Sequence, residues 1–407
     1  YIKKQTSGFD DLRRHLKNYP PEIMEEQTGI DADLIREVAH LYAKTSKGII
    51  FWGMGVSQHV HGTDNARCLI SLALMTGNVG RRGSGLHPLR GQNNVQGASD
   101  AGLIPMMYPD YQLVEKDDKQ NFFEKFWNTP LDDKKGLTVV EIMDAIHENT
   151  IKGMYILGEN PAMSDPDLNH AREALQILEH LVVQDIFLTE TATYADVIFP
   201  ASAWPEKNGT ATNTNRQVQM GRKALDAPGA AKEDWWITNE LGKRMGLDWK
   251  YEHPREIYEE MSKTMPSLNN ITWDRLENEN SVTYPSRSPT TPGDEIVFGD
   301  KFPNESGRGK FVPASVTSPN EVPDEEFEMI LTTGRQLEHW HTGAMTRKAS
   351  NLDAIEPEAT VSISPNEILK KNMKPGDKIK VSTRRGTVNI RVRAVSYTHL
   401  RAHETLL

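Results

Sequence analysis

The 407 residues carry a formal net charge of −10 and a pI near 5.8, with no dense run of Lys or Arg, which excludes a phosphate-backbone binder and takes nucleic acid off the list of partners. Apolar residues make up 37% before the 29 glycines are added, which suits a well-cored chain of roughly two to four domains and excludes disorder throughout. The single cysteine, Cys68, can neither close an internal disulfide nor hold an iron-sulfur cluster, and beside Leu69, Leu72 and Ala73 it reads as a core filler.

Tyr1 opens the chain inside polar helical sequence, which reads as an internal point of a longer protein. An Asp31 cap then precedes Leu34, Val38, Leu41 and Tyr42 at helical spacing through Ser46, and Gly48 to Gly53 reads as a buried strand. Met54 to Gly62 is the loop at that strand's end, where α/β sheets place ligands. A helix follows from Asp64 to Met75, stopped by Gly77-Asn78. Leu69 to Met75, broken by Ser71, is the longest apolar run and far too short to span a bilayer. With no signal-peptide pattern at the start, a cytoplasmic protein with no direct membrane insertion is expected.

Gly85 to Asp100 sets one cation, Arg90, among glycines and the carboxamides Gln92, Asn93, Asn94 and Gln96. Arg90 is a permanent planar charge suited to a carboxylate, and the carboxamides offer donors and acceptors that do not titrate. A polar connection between two α/β units would use similar residues, yet the order Arg-Gly-Gln-Asn-Asn-Val-Gln-Gly is too particular for a generic turn. A small anion beside a polar cofactor fits it.

A second α/β unit starts near Asn93. After a polar stretch holding Asp117-Asp118 and Asp132 to Lys135, the spacing predicts strands at Met154–Leu157, Leu181–Asp185 and Val197–Pro200, with a helix over Asp167–Leu178. Short strands with helical crossovers imply a parallel, doubly wound sheet whose ligand edge is Gly158–Ser164 and Gln184–Thr189. Gly209 to Asn213 reads as a polar loop, Lys232 to Met245 as an amphipathic helix, and the Pro/Ser/Thr/Gly-rich Ser281 to Gly309 as a boundary. Beyond it come a strand at Glu328–Thr332, a polar loop Thr333–Thr346, a helix Pro365–Lys371 and a hairpin of Lys378–Ser382 with Val388–Val392. Tyr397 to Leu407 has neither strand alternation nor turn chemistry and resembles a translated sequencing-adaptor read-through.

Arg90-Gly91-Gln92-Asn93-Asn94 resembles the formate-side segment of molybdenum- or tungsten-dependent formate dehydrogenases, members of the family that binds two molybdopterin guanine dinucleotides. The resemblance runs from Phe9 to about Ala394. Trp52 to His59 is similar to the family's segment beside one pterin, which brings in Met54 and Gln58; Gly91 and Gln92 join them from the formate side. Gly158, Asn160, Ser164, Gln184, Asp185, Thr189 and Asp234 are similar to positions holding guanosine and phosphate. Arg335, Gln336, His339, His341 and Thr342 fall in a segment like the loop by which a cap domain closes over the cofactor. Asp185 or Asp234 could accept from a guanine edge, and Arg335 could grip pyrophosphate.

The resemblance implies an α/β fold with two Rossmann-like domains (1–92 and 93–205), a connecting segment (206–310), a double-psi β-barrel cap (311–395) and a non-native tail (396–407). It implies a bis(molybdopterin guanine dinucleotide) cofactor with Mo or W, formate as substrate held by Arg90 as the catalytic residue, and partner subunits carrying iron-sulfur or flavin. The metal ligand and a 4Fe-4S cluster are expected upstream of Tyr1, so the piece alone is not expected to turn over. His59, His61, His339 and His341 are not expected to ligate metal: the first pair suits a solvated loop, the second hydrogen bonds to pterin or phosphate. Two alternatives stand beside this. A nitrate reductase of the same family typically lacks the arginine of that segment, and a structural subunit of the respiratory complex I type should have lost the polar residues at Gly158–Asn160 and Arg335–His341.

Overall fold

A computed structural model describes residues 1–395; the expected non-native tail lies outside the described residues. The architecture is mixed α/β. The first helix of the expected pattern runs Ala32–Lys44, with the Asp31 carboxylate accepting from the Asp33 and Leu34 amides at 2.9 and 3.1 Å. The strand Ile49–Trp52 then pairs in parallel with Gly85–Pro88, the helix Gly62–Thr76 crossing between them and ending on Gly77 at φ 66°. That strand is not buried as expected. It has a ladder partner on one edge only, and Phe51 is 58% exposed; Val38 and Leu41 on the preceding helix are exposed as well. Cys68 is exposed too, because the buried patch of its helix, Ser71, Ala73 and Leu74, begins a turn further on.

The second sheet contains Gly153–Leu157, His180–Asp185 and Val197–Pro200, all parallel. Ile156, Leu181 and Val183 pack on Leu175 of the helix Leu168–Ile177, while Met143 and Ile146 of the helix Val139–His147 close over Ala174. Its strand order follows the sequence, with a single 3-10 turn, Thr191–Tyr194, joining the last two strands. A doubly wound sheet needs a reversal of order, and none occurs among the described strands of this sheet.

Two helices stand where the sequence suggested only a polar stretch. In Asp117–Trp127 the paired aspartates fill the first turn, where carboxylates favour the helix dipole, and Phe123 is fully buried between Tyr108 and Trp127. Val139–His147 starts on a capping box between Thr138 and Glu141.

Gly209–Thr212, expected as a polar loop, is a strand paired antiparallel with Gln217–Gly221. Its threonines suit a pleated surface, and Ala211 and Thr212 are buried. Ser281–Thr283 completes that sheet, backed by Tyr258, Trp273 and Leu276 from the helices Pro254–Thr264 and Trp273–Glu279. Residues 309–311 then return to the start of the chain: Gly309–Lys310 pairs with Thr6–Ser7, and Phe311 packs on Leu12 and Leu74.

In the C-terminal part, Thr360–Ile363, Lys378–Thr383 and Gly386–Ala394 form a three-stranded sheet, the last two as the expected hairpin. The helix Pro365–Lys370 starts with Ser364 accepting from the Glu367 amide at 3.2 Å. The strand expected at Glu328–Thr332 does not form. Met329, Ile330 and Leu331 form a consecutive apolar run with no ladder to join, and all three are exposed.

Candidate functional site

Parallel pairing of Ile49–Trp52 with Gly85–Pro88 sends both following loops off one sheet edge, where the Leu89 amide donates to the Trp52 carbonyl at 2.6 Å. Met54 opens the short helix Met54–Ser57 and Gln58 caps it, both exposed. Behind them Gly62 lies so close to Ser57 that an added Cβ would sit 1.8 Å from its carbonyl oxygen. Arg90 leaves the same edge half-buried. Its guanidinium makes one long contact, to Ser99 Oγ at 3.5 Å, and no ion pair among the described residues. Gln92 and Asn93 are exposed, whereas Asn94 is structural, its Oδ1 accepting from the Thr212 amide at 2.9 Å.

The loop from Thr333 to Thr346 comes down on this segment. A Cβ on Gly91 would lie 2.8 Å from Trp340 Cη2 and 3.7 Å from Arg335 Nη1. Arg335 is exposed and makes no ion pair among the described residues, leaving its charge open to an anion. His339 is occupied, contrary to its expected contact with pterin or phosphate: one ring nitrogen meets Thr346 Oγ1 at 3.3 Å and the other the Glu356 carbonyl at 2.6 Å. Gln336 likewise donates to Glu356 at 3.1 Å. These two side chains fix the loop, while His341 stays exposed at φ 49° with its ring against Trp340. His59 and His61 are exposed, with one ring nitrogen of His59 on the Gly55 carbonyl at 2.7 Å.

At the second sheet's carboxyl edge the expected residues meet, though several are engaged with one another. Asn160 is buried. Its Oδ1 accepts from the Thr191 amide and hydroxyl at 3.2 and 2.8 Å, and its Nδ2 donates to Glu190 at 2.9 Å. Gln184 is fully buried between Tyr155 and Asp234, and Asp234 is also paired with Lys207. Asp234 is therefore not the free guanine acceptor the sequence allowed. Asp185 has no side-chain partner among the described residues. Its carboxylate accepts from the adjoining Ile186 amide at 2.6 Å, and burial, with Asp234 and Glu159 nearby, raises its pKa against the pull of the backbone amides. Gly158, at φ 65°, has open space where a Cβ would be, Ser164 bonds Glu159 at 3.2 Å, and Thr189 is buried with its hydroxyl toward the Ala192 amide.

Between this edge and the descending loop a cavity is lined by Thr189, Glu190, Thr342, Gly343, Arg347 and Lys348. Hydrogen bonding from Asn160 holds Glu190 below its usual pKa, with the Lys348 and Arg172 charges adding to the effect. Sequence reasoning missed Lys207, Arg347, Lys348 and Trp340. Only Trp340 carried a local signal, a large aromatic between two histidines. The donor set fits a dinucleotide: unpaired Arg335 and Lys348 suit phosphates, Asp185 suits a guanine edge, and bare Gly158 lets a ligand approach the backbone.

The family model described as Molybdopterin oxidoreductase matches residues 11–244, and that described as Molydopterin dinucleotide binding domain matches residues 329–399. The F420-dependent formate dehydrogenase subunit alpha of Methanocaldococcus jannaschii is 43% identical over 395 residues, 97% of this chain and 58% of the relative. The F420-dependent formate dehydrogenase 2 subunit alpha of Methanococcus maripaludis is 41% identical over 392 residues, 96% of this chain and 57% of the relative. The chain thus spans somewhat over half the length of these relatives. Among solved structures, acetylene hydratase from Pelobacter acetylenicus superposes with a TM-score of 0.72 at 18% identity, over 97% of this chain and 58% of that one, a likeness of fold.

Proposed function

The chain belongs to the molybdopterin oxidoreductase family, and on that premise we propose that it is the substrate side and cap of a formate dehydrogenase catalytic subunit, oxidising formate to carbon dioxide. One observation carries the reading. Arg90 is a half-buried guanidinium at a sheet edge with no carboxylate partner among the described residues, its one hydrogen bond there a long one to Ser99 Oγ. A cation so placed is stabilised by an incoming anion, and its planar fork matches a carboxylate in two bonds. The alpha-subunit names of the relatives supply formate as that anion.

Arg335 and Lys348 would hold the phosphates of a molybdopterin guanine dinucleotide pair, Asp185 a guanine edge, and Met54, Gln58, Gly91 and Gln92 would line the substrate end. When bound, with Mo or W, this group accepts the electron pair of the formate C–H bond. Arg90 fixes the carboxylate against rotation, so that binding energy is used for orientation. Trp340, seated on Gly91, would cover the residue next to Arg90 on the loop side. Electrons would pass to a 4Fe-4S cluster outside these residues, and from there to partner subunits carrying iron-sulfur or flavin. The three-stranded sheet of Thr360–Ile363, Lys378–Thr383 and Gly386–Ala394 would belong to a double-psi barrel cap. No helix of the described residues is long and apolar enough to cross a membrane.

The test is the full-length, cofactor-loaded protein, assayed for formate oxidation with an artificial acceptor beside nitrate reduction with a reduced dye. Formate turnover without nitrate turnover is expected; nitrate reduction without formate oxidation would overturn the assignment.

A further inference from the structure

From Thr333 to Thr342 the loop that comes down on Gly91 has little backbone structure to hold it. Among the described residues only one amide of that stretch finds a hydrogen-bond acceptor. It is Trp340, and the acceptor is a side chain, Thr346 Oγ1 at 3.0 Å. A backbone amide left without a partner beside a packed ring is costly, so this one acceptor carries weight. Gly343, buried and at φ 75°, turns the chain back and brings Thr346 to Trp340, with the Gly343 amide donating to the Trp340 carbonyl at 2.8 Å.

The direction of each bond at Thr346 follows from its neighbours. His339 Nε2 meets the Glu356 carbonyl at 2.6 Å, and a carbonyl only accepts, so the ring proton is on Nε2. In the neutral imidazole Nδ1 is then an acceptor. Its partner at 3.3 Å is Thr346 Oγ1, whose hydroxyl proton therefore points to Nδ1 and leaves the oxygen's lone pairs to the Trp340 amide. The hydroxyl is used in both senses at once and is fixed in rotation. His339, expected at the pterin, orients this hydroxyl instead.

Trp340 carries what the bond keeps in place. Its Cη2 lies 2.8 Å, and Arg335 Nη1 3.7 Å, from where a Cβ on Gly91 would be, and Gly91 directly follows Arg90. On its other side Thr346 begins the 3-10 helix Thr346–Lys348, whose Arg347 and Lys348 line the cavity at the second sheet's edge. One hydroxyl thus joins two walls of the candidate cofactor site.

We infer that Thr346 is a positioning residue whose hydroxyl, oriented by His339, holds Trp340 on Gly91 and keeps the loop closed over the cofactor. This rests on the reading of the loop as one wall of a pterin dinucleotide site. Valine has the shape of threonine without the hydroxyl, and takes the acceptor from the Trp340 amide and the donor from His339 together; serine keeps both.

The test is the rate at which pterin and metal leave the full-length, cofactor-loaded protein, followed by gel filtration after timed incubation, which requires no turnover. Thr346→Val should speed the loss by about tenfold or more, as expected for an amide left unpaired, while Thr346→Ser stays within about threefold. Trp340→Val removes the seat on Gly91, and in that background Thr346→Val should add less than about threefold. Equal acceleration in both backgrounds overturns the inference, and so does a serine variant that loses cofactor as fast as the valine one. Thr346→Ala replaces the valine variant if that one fails to load. Hydrogen exchange of the Trp340 amide reads the bond itself: faster exchange in Thr346→Val with unchanged cofactor retention would overturn the closing role. A protein that retains cofactor in the expected pattern yet does not oxidise formate would overturn the proposed activity and uphold the role of Thr346.

Discussion

A Cβ on Gly91 would lie 2.8 Å from Trp340 Cη2, so the segment bearing Arg90 and the loop of the C-terminal part meet through a residue that has no side chain. The contact is rigid on both sides. Trp340 is held by its amide on Thr346 Oγ1 at 3.0 Å and by the His341 ring against its own, and Gly91 follows directly on the sheet edge. Because Gly91 is outside the left-handed region, alanine suits its backbone, and the effect of substitution is steric alone.

Gly91→Ala should therefore lift the loop, at a cost of about 1 to 3 kcal/mol for an overpacked contact. The readout is metal and pterin content after purification, which should fall, and the added change Trp340→Val should restore most of it. Failure of the second change to restore content would mean that Gly91 serves something other than closure of this loop.

Arg90→Lys keeps the charge and loses the planar fork. A charge-assisted hydrogen bond is worth about 1.5 to 3 kcal/mol, so kcat/KM for formate should fall roughly tenfold to a hundredfold at unchanged metal content. Steady-state kinetics checks this, and unaltered kinetics in a fully loaded variant would remove Arg90 from the substrate.

Local patterns were legible: the Asp31 cap, the Gly77 stop, the parallel strands around Ile156 and Val183, and the hairpin at Lys378–Thr383 and Gly386–Ala394 all follow from signals within a few residues. What escaped depends on partners far along the chain. Gly209–Thr212 is a strand because Gln217–Gly221 and Ser281–Thr283 give it a sheet, and Glu328–Thr332 is not one because nothing pairs with it. The same holds at the site. Gln184 and Asp234, fifty positions apart, bind each other, and the His339 ring is taken by Glu356 and Thr346. Residue type showed which side chains could meet a ligand; only tertiary contacts show which remain free to do so.

That distinction separates two aspartates. Asp234→Ala would leave the Lys207 charge and Gln184 Nε2 without their partner, so stability should drop by about 1 to 3 kcal/mol whether or not cofactor is bound. Asp185→Ala removes a carboxylate whose own bond is to the neighbouring Ile186 amide, so the fold should hold while cofactor content falls. Thermal unfolding of cofactor-free and loaded protein, with guanine nucleotide released on denaturation as the second measurement, separates the two. Loss of cofactor without loss of stability in Asp234→Ala would reverse the assignment.

Burial raises the Asp100 pKa above its ordinary 3.8, outweighing the lowering by hydrogen bonds from Gln96, Tyr284 and Tyr111, while the Asp110 charge adds to the rise. The folded state thus binds this proton more tightly than the unfolded chain does. Above the folded pKa the ionised carboxylate costs stability; as pH falls through that value the cost is relieved, and below 3.8, where both states are protonated, the relief is complete. Asp100→Asn abolishes this dependence, so its stability relative to the unsubstituted protein should rise as pH climbs from below 3.8 through the folded pKa and then level off. Infrared difference spectra between the two proteins provide the direct check, because the protonated carboxyl band absent from the variant should persist above 3.8 and disappear only at higher pH. A band already lost below that value would show that hydrogen bonding, rather than burial, governs Asp100.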